Sequence, residues 1–102
     1  MTIEELEQAI EGRKVIRHKG RCFINVRTLK EAEHYMKLGA STFPWPEYCP
    51  GYEVYLETML DPMGEEDPET GEYRDLRRAF IMDHFRRRDG VERPHRLHDA
   101  SI

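Results

Sequence analysis

The twelve residues from Asp61 to Glu72 have the length and the terminal acids of a calcium-binding loop. The interior lacks the chemistry: the third position is Met63, the sixth is Glu66 where the sharp turn needs glycine, and Pro62 and Pro68 stiffen the path. The stretch therefore reads as a solvated, turn-rich acidic loop. Zinc fares no better, because His95 and His98 have no Cys-x-x-Cys pair to join and the remaining histidines, His18, His34 and His84, are scattered. For nucleophilic catalysis Cys22 or Cys49 would need a histidine base close by, and Cys22 falls where a core residue is expected. No glycine loop of the phosphate-cradling kind is present. Carboxylates abound, but in runs, which points to solvation rather than to a tuned acid and base. No enzyme activity, small-molecule substrate, cofactor or metal is expected.

Charge order is the more informative chemistry. The chain carries −4 overall, yet residues 1–12 hold four acids and no base, and residues 13–37 hold eight bases and two acids. Residues 38–73 hold nine acids and neither Lys nor Arg, and residues 74–102 hold eight Arg and five acids. With 35% of residues charged, such sorting reports on partners or self-association rather than on fold.

Half of the chain's ten aromatic residues also fall within 13 positions of the base-free block. Phe43, Trp45, Tyr48, Tyr52 and Tyr55 lie close together, interleaved with Pro44, Pro46 and Pro50 and with Glu47, Glu53 and Glu57. Tyr and Trp give large contact area at low entropic cost, as interface hot spots require. A small core will not bury all five. The predicted partner surface therefore combines Trp45, Glu47, Tyr48, Tyr52, Glu53 and Glu57 with Glu65, Glu66, Asp67, Glu69 and Glu72. A compact array of carboxylates can occupy a basic groove built for phosphates.

Two further surfaces compete with it. Arg13, Lys14, Arg17, Lys19 and Arg21 cluster on a predicted hairpin that could follow a nucleic-acid backbone, helped by Arg86, Arg87 and Arg88; the same bases would equally serve to guard a sheet edge. On the last helix Ile81, Met82 and Phe85 lie almost opposite Leu76, Ala79 and Phe80, so that helix is either sandwiched in its own domain or shared with a second copy.

The elements that must hold these residues follow from local signals. Thr2-Ile3-Glu4-Glu5 is a capping box, and Ile3, Leu6 and Ile10 then share a face before Gly12, which predicts a helix over 2–11. Residues 14–18 and 21–26 flank Lys19-Gly20 as a β-hairpin, with Cys22, Ile24 and Val26 on its core face. Thr28 and Glu31 repeat the capping pattern, and Leu29, Ala32 and Met36 mark a second helix ending at Gly39. Residues 40–51 are expected to be an irregular loop, because three prolines break it. Residues 52–60 match both helical and strand periodicity, with Tyr, Val and Thr favouring a third strand. A last helix is expected over about 73–88. The Glu31-Ala32 and Leu38-Gly39 segment lacks helix-turn-helix spacing, and Pro44 and Pro46 stand where the recognition helix would start.

The expected fold is α+β: a small antiparallel sheet of the hairpin plus a third strand, with about three helices packed on one face. Residues 1–90 form one compact domain and residues 91–102 a loosely ordered tail. The first residues are acidic, unlike a secretion signal, and no apolar run reaches the roughly 20 residues of a membrane span. A cytoplasmic protein with reduced cysteines is expected. Its expected function is non-enzymatic binding to a protein with a basic surface, in its sharpest form as a phosphate-mimicking inhibitor of a nucleic-acid-handling complex, of the kind a virus or mobile element encodes. Nucleic-acid binding through the basic hairpin and a structural homo-oligomer are the alternatives.

Overall fold

The computed structural model describes residues 1–89; the expected tail over 91–102 lies outside them. The described residues are mixed α and β, with three α-helices, one four-stranded and one two-stranded antiparallel sheet.

Helix α1 spans Ile3–Ala9. Both halves of its capping box form, Glu5 N donating to Thr2 Oγ1 at 3.2 Å and Thr2 N to Glu5 Oε1 at 2.8 Å. Two orphan donors of the first turn are thereby satisfied. Strands β1 (Ile16–His18) and β2 (Arg21–Val26) form the hairpin. Lys19 and Gly20 both take positive φ, +53° and +77°. A turn with two such residues matches the right-handed strand twist.

Helix α2 spans Leu29–Lys37, capped by Thr28, whose hydroxyl accepts from Glu31 N at 3.1 Å. The Glu31 carboxylate reaches back one residue further, accepting from Arg27 N at 3.4 Å through Oε1, while Oε2 pairs with Arg13. Its buried positions are Ala32 and Tyr35, while Leu29 and Met36 are exposed. The regular spacing of the apolar residues thus misplaced the buried face by a fraction of a turn, and Tyr35, donating to Ala9 O at 3.3 Å, ties α2 to α1.

The irregular loop expected over 40–51 is corrected at its start. Ser41–Pro44 is strand β3, at the edge of the sheet, where a proline costs no interior ladder bond. Strand β4 (Tyr52–Tyr55) lies between β3 and β2, giving the order β1-β2-β4-β3 and four strands instead of the expected three. The double periodicity of residues 52–60 is resolved in succession. Val54 and Leu56 alternate as a strand requires, and a 3₁₀ turn over Glu57–Met59 then buries Met59 and Leu60.

Residues 61–72 are likewise more regular than a solvated loop. Strands β5 (Gly64–Glu66) and β6 (Tyr73–Asp75) pair as a second hairpin, so helix α3 begins at Arg77, four residues later than expected, and runs to Asp89.

Leu6 and Ile10 from α1, Ala32 and Tyr35 from α2, and Ile81 and Phe85 from α3 join one core cluster with Cys22, Ile24, Val26 and Val54. Strand alternation places these even-numbered strand residues on one side of the sheet. The candidate oligomer face is corrected here: Ile81 and Phe85 are 0% exposed inside this domain, and Met82 packs against the same core. Leu76 and Phe80, on the opposite side of α3, are the exposed ones.

Candidate functional site

The hairpin β5–β6 presents the densest set of carboxylates. Its register sets Gly64 against Asp75, Glu65 against Arg74 and Glu66 against Tyr73. The connection is held by its own backbone: Asp67 N donates to Glu72 O at 2.8 Å and Gly71 N to Asp67 O at 2.7 Å. Asp67 Oδ1 accepts from Glu69 N at 2.8 Å, and Thr70 Oγ1 from Glu72 N at 3.3 Å. Gly71 supplies the left-handed φ of +76° that closes the turn. These bonds fix the path of a segment whose side chains are all in solvent. Glu65, Glu66, Asp67, Glu69 and Glu72 form no ion pair with any described residue.

Arginines elsewhere find carboxylates within the chain. Arg13 pairs with Glu31 and is driven above its ordinary pKa by that hydrogen bond. Arg86 and Arg87 reach Asp83 at 2.9 and 3.2 Å, and Arg77 chelates Asp75, holding its carboxyl below the usual range. Arg17 donates to Phe85 O at 3.2 Å, docking β1 to α3. Of the basic hairpin, Lys14 and Lys19 form no ion pair with a described residue.

Glu57 corrects part of the predicted partner surface. The 3₁₀ turn rotates it inward until it is 6% exposed, and its Oε2 lies 3.6 Å from both Arg21 Nη1 and Arg78 Nε. It clasps β2, the 3₁₀ turn and the start of α3 from inside. Tyr52 is also turned inward, packing against the core because β4 alternation places it on the side of Val54. The remaining residues fall in separate places. Trp45, Glu47 and Tyr48 belong to the β3–β4 loop, where Trp45 lies half-buried over Gly51 and Tyr48 is 88% exposed. Glu53 stands on the sheet and accepts from Tyr55 Oη at 3.1 Å.

Residues the sequence reasoning missed adjoin the acidic hairpin. Tyr73, Leu76 and Phe80 are exposed apolar groups at or just beyond its second strand, and Leu76 N donates to Met63 O at 2.9 Å across its base. The signal was the pair of opposed apolar sides on the last helix, of which only one can face the core.

At the other end of α3, Glu7 accepts from His84 Nε2 at 2.7 Å and from Arg88 Nη1 at 2.8 Å, clasping α1 to α3. Burial pushes the Glu7 carboxyl up, but the bonds from His84 and Arg88 outweigh it and the net direction is downward. A depressed carboxyl stabilises the fold above its ordinary pKa of 4.5, and that contribution is lost as pH falls through the lower folded value. Glu7→Gln should therefore remove part of the acid sensitivity, shown as a smaller drop in urea midpoint between about pH 7 and about pH 3 than the wild-type chain displays.

Among the described residues no helix is long and apolar enough to cross a membrane, and no group of three or more His, Cys, Asp or Glu side chains converges as a metal site. No family model matches the chain, and neither curated proteins nor solved structures show a significant similarity to it.

Proposed function

We propose that this chain is a non-enzymatic, cytoplasmic protein-binding module whose acidic hairpin, residues 64–75, enters a basic groove on a protein partner. The observation that carries the reading is the contrast in neutralisation. Arg13, Arg21, Arg78, Arg86, Arg87 and Arg88 meet carboxylates of their own molecule, whereas Glu65, Glu66, Asp67, Glu69 and Glu72 form no ion pair with a described residue, although Arg74 stands across the ladder from Glu65. Carboxylates held on a hydrogen-bonded hairpin present fixed negative charge without the ordering cost of a floppy tail. In a groove shaped for phosphates they stand in for the nucleic-acid backbone, and the exposed Tyr73, Leu76 and Phe80 add apolar contact beside them. In this reading the chain inhibits a nucleic-acid-handling complex, as a virus or mobile element would have it do. The neutralised arginines count against the basic hairpin as a nucleic-acid site.

The test is recovery of a partner from the source cell by the tagged full chain at low and high salt. The expected result is a nucleic-acid-binding protein whose recovery falls steeply with salt and whose affinity drops about a hundredfold or more for Glu65→Lys with Glu66→Lys, since reversed charge in the groove repels. Affinity unchanged by that double substitution overturns the proposal.

A further inference from the structure

Glu57 is one buried carboxylate between two guanidiniums. Its Oε2 lies 3.6 Å from Arg21 Nη1, at the start of β2, and 3.6 Å from Arg78 Nε, in the first turn of α3. At that separation the contacts are ion pairs and not hydrogen bonds, so the N–H forks of both arginines stay unspent among the described residues. A single negative charge between two positive ones leaves the spot net positive. The surplus is accessible, because the side chains of Arg21 and Arg78 are 39% and 52% exposed while the acid beneath them is not.

Both arginines are held in place. The guanidinium of Arg21 lies 4.5 Å from the Tyr55 ring centroid, and the stem of Arg78 runs against the β1–β2 turn, where a side chain on Gly20 would meet its Cδ at 3.9 Å. The neighbouring carboxylate of Asp75 is chelated by Arg77. Helix α3 adds to the imbalance, since its first turn carries Arg77 and Arg78 and no acid, the reverse of what the positive end of a helix dipole favours. An anion seated beside Arg78 relieves both surpluses.

Glu57 also specifies which anion. Its Oε1 is buried and accepts from no donor among the described residues, which is costly unless a donor is brought to it. A suitable ligand therefore offers acceptor oxygens to the arginines and a hydroxyl to the carboxylate. Free hydrogen phosphate has both. A phosphate monoester has lost its last proton above about pH 6, and sulfate and the phosphodiester of a nucleic-acid backbone have no hydroxyl, so each would set a bare oxygen against Glu57.

We propose that Arg21, Arg78 and Glu57 form a binding site for free hydrogen phosphate, the two arginines donating to its oxygens and Glu57 accepting from its hydroxyl. Arginine–phosphate bonds are charge-assisted and among the stronger hydrogen bonds proteins make. The site stands on other elements than the acidic hairpin, and its occupancy does not depend on what that hairpin binds.

Amide NMR of the full chain, titrated with sodium phosphate at about pH 7.5 and constant ionic strength, tests the assignment. The expected result is saturable shifts at Arg21, Glu57 and Arg78 with Kd of about 1 mM or below, and affinities for sulfate and methyl phosphate at least tenfold weaker. Arg78→Ala, whose side chain is half in solvent, should weaken phosphate binding at least tenfold, whereas Arg87→Ala, paired with Asp83 further along α3, should leave it unchanged. Glu57→Gln should take sulfate as tightly as phosphate, because the carboxylate sets the preference. If Glu57→Gln does not fold, Arg78→Ala and the sulfate titration of the wild-type chain decide. No saturable shift up to about 20 mM phosphate, equal wild-type affinity for sulfate or methyl phosphate, or binding indifferent to Arg78→Ala overturns the proposal.

Discussion

Phe85→Ala is expected to lower the stability of the domain by about 3–5 kcal/mol, the cost of deleting a fully buried aromatic side chain and leaving its cavity behind. Domains of this size have only about 5–15 kcal/mol in total, so a large part of the population should be unfolded at moderate temperature. The effect is severe because Phe85 does more than fill space. Its carbonyl accepts from Arg17, and its ring lies 4.7 Å beneath the Arg88 guanidinium that also grips Glu7. Urea denaturation measures the loss. Phe80→Ala serves as the control. Its side chain is half in solvent, and it should cost at most about 1 kcal/mol. Equal costs for the two would contradict the placement of α3.

Gly64→Ala should open the acidic hairpin while leaving every charge in place. Gly64 takes φ +148°, and a Cβ there would come within 1.9 Å of Arg74 O, a backbone atom that cannot step aside without breaking the pairing with Asp75. A two-stranded hairpin is marginal on its own, so the loss of this base pair should release the whole element. Hydrogen exchange is the measurement: amides paired across β5 and β6 and the amide of Leu76 should lose protection, with little change in the four-stranded sheet. Gly71→Ala gives the comparison, because its φ of +76° is strained for alanine but nothing lies within 4 Å of the added carbon, so the cost should stay near the 1–2 kcal/mol of a left-handed residue. Partner binding that survives Gly64→Ala would mean that the number of carboxylates matters and their arrangement does not.

What could be read from the residues alone was what is decided within a few positions. The Thr2 and Glu5 cap, the Lys19-Gly20 turn and the inward set Cys22, Ile24 and Val26 all depend on local spacing, and they form as the spacing implies. The edge strand Ser41–Pro44 was not readable, because prolines nearby argue against a strand and only its pairing with β4, a non-local event, makes it one. The same holds for β5, whose Glu65 and Glu66 have poor strand propensity and are drawn into a ladder by Tyr73 and Arg74 across the turn. Position along the chain also could not say which carboxylates would be neutralised. Glu57 belongs to the same acidic block as Glu65, yet the 3₁₀ turn carries it inward to two guanidiniums while Glu65 is left in water.

That uneven neutralisation has a kinetic consequence. Opposite charges paired at short range cancel at distances beyond their separation, whereas the hairpin carboxylates, which form no ion pair with a described residue, keep their field out to a Debye length of about 8–10 Å. If the hairpin is the docking element proposed above, that field favours approach with the acidic tip first and raises the rate of productive encounters with a positively charged groove. Association rates would fall with ionic strength while dissociation rates change far less.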